Sequence, residues 1–373
     1  MRALAAIALT LTFAPAAAAE TVAQRTPVVG PVFAGDAVAW GEESPRGATR
    51  VMLGAPGRES VLVYRLAPAT ARKTERSFSG MHSAFAASAT RFAALLTTAT
   101  VIFAESDSVS TATTDAAVGG PLRGPVGIFA GCLPRRGDLG CGATCAFIQG
   151  VDVDGARTAV ASSTRVACDE REVPPRHAVT VHDGARTVTV TGGEGFRIAD
   201  VELAGRFVAW VEDSVSGPEV LRVHDLERGA EVVRLTGRDV DARTFWAIGL
   251  QADGTVAATF SGRRDRRGAR LGVIAPGTPG VRLLARHVGN GLAIASGRVL
   301  YEHVISYRRN ETRLVLRSLA DGRRTVLARL HERRRLTGDF DLDANRATWA
   351  ELPTRRGYEP AARGPARIIV RSL

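Results

Sequence analysis

The chain has 373 residues, 45% of them hydrophobic, with 39 Gly and 17 Pro, which is enough apolar mass for a sizeable core and enough turn formers to cut it into many short segments. Its formal net charge of +11 is carried almost wholly by Arg, since Lys73 is the only Lys. That Arg is spread along the chain, in turns such as Arg263, Arg264, Arg266 and Arg267, so it reads as compositional bias and no nucleic-acid partner is expected; the alternative is a basic surface for an acidic polymer or an anionic lipid. Long helical periodicity is missing, and short Val/Ile/Leu-rich runs dominate, which points to an all-β chain.

In chain order, Arg2 is a short positive region, Ala3 to Phe13 is apolar, Pro15 breaks the run, and Ala17, Ala18 and Ala19 precede Glu20. This is the pattern of a signal peptide over 1–19. The expectation is an exported protein, secreted or in the periplasm or cell envelope, with no membrane span in 20–373 because no later stretch reaches about 18 apolar residues.

Seven segments of the remainder align without gaps on one pattern: an apolar residue, a small turn, then an apolar run with a bulky or β-branched end. They are Phe33–Trp40, Ala87–Ala94, Val153–Val160, Leu203–Trp210, Ala252–Thr259, Ile294–Tyr301 and Leu342–Trp349. Their final residues lie 54, 66, 50, 49, 42 and 48 positions apart, the period that four short strands and their turns require. Each segment reads as the inner hairpin of a blade, with Gly where a tight turn needs positive φ. The outer halves recur as well, in Val179–Val190, Val223–Leu235 and Leu314–Leu330. The expected fold is therefore all-β: a seven-bladed β-propeller of four-stranded antiparallel blades, a single domain over 20–373. The last blade offers only three strands, at Asp339–Leu342, Thr348–Leu352 and Arg367–Leu373. The spare run Thr21–Val29 is expected to supply the fourth strand and close the ring.

The longest spacing points to an insertion at about 129–147. All four cysteines, Cys132, Cys141, Cys145 and Cys168, lie in or just beyond it. An even count in an exported chain predicts two disulfides, and three connectivities stay open. A zinc site is disfavoured because no C-x-x-C pair occurs.

The segment Leu203–Trp210 with Val211-Glu212 after it, followed by a strand, a Gly turn and a strand, resembles the repeats of TolB-type, WD40-like propellers of exported bacterial proteins. What the resemblance implies is mainly a protein-interaction scaffold. The Gly-His and Trp-Asp signatures of WD40 repeats are absent, as is an α/β domain ahead of the repeats.

Acidic residues follow several of the segment ends: Glu42 and Glu43, Glu212 and Asp213, Glu302, and Glu351. If the strands align, they fall at equivalent places on one rim, where a carboxylate ring could meet a cation or a basic partner, or simply balance nearby Arg. His303 beside Glu302 is the one His in a suggestive position. Asp339, Asp341 and Asp343 alternate with Phe340 and Leu342, a period of two that puts the acids on one strand face and lacks the turn Gly of a calcium loop. There is no hydrolase G-x-S-x-G, no phosphate-cradling Gly loop and no metal-binding His pair, so no catalytic residue, metal or cofactor is assigned. The reading that follows is a monomeric scaffold that binds a protein or a glycan. The alternative is a propeller enzyme (a lyase, a lactonase or a glycoside-active enzyme) with a site in the central funnel.

Overall fold

The computed structural model describes residues 19–24, 27–43, 49–65, 71–72, 75–103, 109–122, 127–131, 144–166, 176–214, 217–262, 268–306, 308–309, 311–331, 334–353 and 366–373. Among the described residues the chain is all-β, apart from one turn of 3-10 helix at Gly237–Val240. No helix among the described residues is long and apolar enough to cross a membrane.

Strand β1 (Ala19–Ala23) stands apart from its sequence neighbours. β2 (Pro27–Ala34), β3 (Ala37–Glu43), β4 (Thr49–Gly54) and β5 (Val61–Arg65) form a meander in that order. The next sheet is larger: β6 (Ala71–Arg72), β7 (Glu75–Ala87), β8 (Arg91–Phe103), β9 (Val109–Pro121) and β10 (Gly127–Gly131). Two four-stranded meanders follow, β11 (Thr144–Asp154), β12 (Arg157–Val166), β13 (Arg176–Asp183) and β14 (Arg186–Gly193), then β15 (Phe196–Ala204), β16 (Phe207–Ser214), β17 (Val220–Asp225) and β18 (Ala230–Thr236). A seven-stranded sheet runs through β19 (Thr244–Leu250), β20 (Val256–Ser261), β21 (Ala269–Ile274), β22 (Arg282–Ala295), β23 (Arg298–Ser306), β24 (Glu311–Ser318) and β25 (Arg324–Leu330). Finally β26 (Arg334–Leu342), β27 (Arg346–Pro353) and β28 (Arg367–Ser372) join β1 in the order β1-β28-β27-β26.

All seven repeat segments fall on hairpins between consecutive strands, β2–β3, β7–β8, β11–β12, β15–β16, β19–β20, β22–β23 and β26–β27, and the earlier strand of each is its first strand. The turns carry Gly at positive φ where two residues must reverse the chain, as at Gly35 (φ 63°) and Gly205 (φ 55°). The segment ends Trp40, Ala94, Val160, Trp210, Thr259, Tyr301 and Trp349 are all buried, none more than 2% exposed. The core is made of separate slabs, each between one sheet and the next. Phe207, Leu221, Leu235, Phe245 and Phe260 fill one, and Leu300, Leu314, Phe340 and Trp349 fill another.

Seven segments occupy six sheets because β22 serves two of them. Its first half, from Arg282 to Val288, pairs with β21, and Leu292 to Ala295 pairs with β23, with the register shift between Val288 and Leu292. The long spacing after Ala94 is partly strand length, since β8 and β9 have 13 residues each. The N-terminal run splits: Ala19–Ala23 pairs antiparallel with β28, whereas Pro27–Ala34 begins the next meander.

These first strands pack on one another in sequence. β2 touches β7, β7 touches β11, β11 touches β15, β15 touches β19, β19 touches β22, β22 touches β26, and β26 touches β2. Each of them carries a β-bulge or register shift against its second strand at about the same level, for example between Ile148 and Gly150, Ile198 and Asp200, and Phe245 and Ala247. A bulge re-aims the side chains that follow it.

Candidate functional site

Next to these hairpins a first strand pairs with its second strand on one edge only, so its other edge leaves N–H groups that need acceptors. Carboxylates of the preceding sheet supply them. Asp152 on β11 accepts from Leu203 N at 2.6 Å and from its own neighbour Val153 N at 2.7 Å. Asp341 on β26 repeats this with Phe33 N at 2.7 Å and Leu342 N at 2.7 Å. Asp200 on β15 accepts from Val201 N at 2.9 Å and from Ile248 N. Gln251, after β19, does the same for Gly297 N at 2.6 Å. Asp154 adds a bond from Gly205 N at 2.7 Å.

Glu202, beside them on β15, differs. It aligns with Asp152 and Asp341 in the repeat, yet its carboxyl accepts no hydrogen bond among the described residues, and Asp152, Asp200 and Asp341 all raise its proton affinity. Carboxylates from three sheets thus face one another where the first strands converge. Burial is the largest cause of their shifts: Asp152 is pushed up to about 7, Asp200 and Asp341 to about 6, and Glu202 well above the usual range. The backbone N–H bonds pull the other way for the three aspartates. Asp152, Asp200 and Asp341 therefore exchange protons near neutral pH. No group of three His, Cys, Asp or Glu among the described residues is placed to hold a metal ion.

Of the carboxylates singled out in the sequence, Asp341 belongs to this central group, whereas Glu42, Glu212, Glu302 and Glu351 lie elsewhere, on the second strands. Glu42 accepts the indole N–H of Trp40 at 3.3 Å, Glu212 that of Trp210 at 3.0 Å, and Glu351 that of Trp349 at 3.1 Å. Arg50, Arg222 and Arg334 complete the three pairs at 4.0, 2.8 and 2.8 Å. The Trp fills the slab between sheets and the Glu two residues on satisfies its one polar atom. Glu302, after Tyr301 rather than a Trp, bonds Thr312 instead, and burial raises its pKa. His303 is shifted down, first by burial and then by Arg324, Arg313 and His287. Asp343 caps the hairpin by accepting from Asn345 N and Arg346 N, and pairs with the Arg346 guanidinium at 2.6 Å. Cys145 lies on β11, while Cys132, Cys141 and Cys168 fall outside the described residues, as do the side chains of Glu43 and Asp339.

No protein-family model matches the sequence, and no curated sequence matches it. Solved structures do match over most of this chain at low identity. A puromycin-hydrolyzing peptidase of Mycobacterium tuberculosis aligns at 15% identity and a TM-score of 0.43, covering 92% of this chain and 60% of its own. The acylaminoacyl peptidase of Pyrococcus horikoshii aligns at 11% and 0.48, covering 91% and 52%. TolB from Acinetobacter baumannii aligns at 13% and 0.37, covering 90% and 79%. The chain thus spans about 60% of the length of the first of these.

Proposed function

We propose that the chain is a closed seven-bladed β-propeller, exported behind residues 1–19, that works as a scaffold holding a protein or glycan partner. The ring reading is supported by first strands that pack in succession from β2 to β26 and back to β2, by the division of β22 between two blades, and by the pairing of β1 with β28. One observation carries the scaffold over the enzyme: Asp152, Asp200 and Asp341, the central carboxylates, are spent on backbone N–H groups of the next blade. Groups committed to holding blades together are not presented to a substrate.

The test is cross-linking of the exported protein in its native envelope, compared with a version lacking 129–147. A defined partner, cross-linked through residues of one face, is the expected result. An enzyme is the second reading, favoured by Glu202 alone, a buried carboxyl with raised proton affinity and no backbone donor among the described residues. Turnover of a lactone or a glycoside that disappears in Glu202→Gln, with folding intact, would replace the scaffold by the enzyme.

A further inference from the structure

Some arginines pair with carboxylates or bond to carbonyls of neighbouring hairpins, and one group is brought together with like charge. Arg317 on β24 and Arg324 on β25 stand directly opposite each other in register, a like-charge cross-strand pair that disfavours the sheet. Both guanidinium groups reach the same acceptor, the Leu284 carbonyl on β22, Arg317 through one of its terminal nitrogens and Arg324 at 3.4 Å. They are therefore side by side. Arg282, on the same β22 edge, acts on Arg317 as well, and the phenol of the buried Tyr301 lies within electrostatic reach of both Arg317 and Arg324. Among the described residues none of these three arginines forms an ion pair with a carboxylate. Arg317 Nε is buried with no acceptor.

Two guanidinium groups sharing one carbonyl oxygen, with a third cation beside them and a buried N–H left over, lack a negative charge. Burial and the two neighbouring arginines lower the proton affinity of the Arg317 guanidinium, which is the same deficit seen from the other side. Guanidinium forks match tetrahedral oxyanions in geometry as well as charge.

We infer that the surface where Arg317 and Arg324 of the β24–β25 hairpin meet the Leu284 carbonyl of β22 is an oxyanion site, in which Arg282, Arg317 and Arg324 hold a phosphate- or sulfate-type group. The group can be a free ion or the phosphate of a lipid headgroup, and the chemistry of recognition is the same for both.

Inorganic phosphate is titrated into the full-length protein at constant ionic strength, with chloride as the balancing anion, and binding is followed by calorimetry and by the thermal midpoint. Phosphate is expected to bind and raise the midpoint where chloride does not. Arg324→Gln, a change at an exposed position, is expected to weaken phosphate about tenfold, the loss of one charge-assisted bond, and in chloride to leave the protein at least as stable as the wild type because the repulsion with Arg317 is relieved. Arg186→Gln, in a different sheet, is expected to bind like the wild type. Vesicles with phosphatidic acid against neutral vesicles separate the sources: retention on the first that Arg324→Gln abolishes assigns the lipid phosphate, and its absence with phosphate binding intact assigns the free ion. A midpoint that responds equally to phosphate and chloride, or an Arg324→Gln protein that binds phosphate like the wild type, overturns the site.

Discussion

At the scale of single residues, the chain uses carboxylates in two structural ways. On the second strands, Glu42, Glu212 and Glu351 each answer the indole of a Trp two positions earlier. Glu212 is 8% exposed, so Glu212→Ala would leave the Trp210 N–H buried without an acceptor and strip Arg222 of one of its two partners. The expected cost is about 2 kcal/mol in urea unfolding, with Glu212→Gln recovering part of it because its amide oxygen still accepts. On the first strands the charge itself is the issue. Asp152 titrates near 3.8 when free and at about 7 when folded, so folding takes up a proton between those values. Its contribution is fully present below pH about 4 and is lost as pH rises through about 7. Asp200 and Asp341, at about 6, lose theirs earlier. In Asp152→Asn the stability profile between pH 4 and 7 is expected to flatten by close to one proton, on the order of 2–4 kcal/mol across the window. An unaltered slope of the urea midpoint against pH would rule out Asp152 as the group. Of these residues, the second-strand acids were legible because they follow a bulky aromatic at fixed spacing. Of the first-strand acids only Asp341 stood out, by alternating with Asp339 and Asp343, and the others did not. Their repeat position is filled by Val32, Ala86, Asp152, Glu202, Gln251, Ala293 and Asp341, so no single residue type marks it, and their meeting depends on three sheets that are distant in sequence.

At the scale of elements, the hairpins were readable and the bulges were not. A hairpin needs a small turn between two apolar runs, and both signals are local. A register shift such as that between Val288 and Leu292 reflects packing of one first strand on the next, which no local pattern encodes. The same reason hid the sharing of β22: Arg282–Ala295 reads as an outer strand followed by an inner one, and only the pairing shows that they are continuous. The N-terminal strand was half legible. Its pairing with the last sheet follows from an incomplete meander at Arg367–Ser372, but its end at Ala23 and the new strand from Pro27 do not. Val22, 8% exposed, joins the slab that holds Trp40, Ile368 and Val370. Val22→Asp would place a carboxylate there without a partner. β1 is then expected to detach from β28 while the rest stays folded, read as faster hydrogen exchange confined to the amides of Ile368–Arg371, the residues that β1 pairs with. Uniformly faster exchange through all sheets would mean that β1 is integral to the global fold rather than a separable clasp.

At the scale of the whole molecule, the question is what keeps the sheets in their order. Two sets of bonds recur with one direction. The carboxylates Asp152, Asp200 and Asp341 reach from one meander to the first strand of the next. The arginines that open the second strands do the same at the hairpin tips: Arg91 donates to Ala156 O at 2.6 Å, Arg157 to Gly205 O, Arg298 to Ala344 O, and Arg346 to Gly35 O at 2.6 Å and Asp36 O at 3.0 Å. Part of the Arg excess is thus internal stitching. The junction between β26–β27 and β2 differs from the others in one respect: residues on its two sides are more than 300 positions apart, so no short connection tethers them and the stitches there, with β1, do the work that the chain does elsewhere. Arg346 is also stacked on the Phe33 ring at 4.6 Å. The double variant Arg346→Ala with Asp341→Ala therefore removes the non-local stitches, whereas Arg157→Ala with Asp152→Ala removes equivalent ones between sheets that stay linked in sequence. Each pair should cost about 2–4 kcal/mol by loss of bonds, but only the first should let β2 separate from β26 and β27. The expected signature is a larger radius of gyration in X-ray scattering and faster exchange confined to β2, β26 and β27, with the second variant less stable yet unchanged in size. Equal radii for the two variants at matched stability would show that the last junction is held like the rest, and the closed-ring reading would lose its mechanical basis.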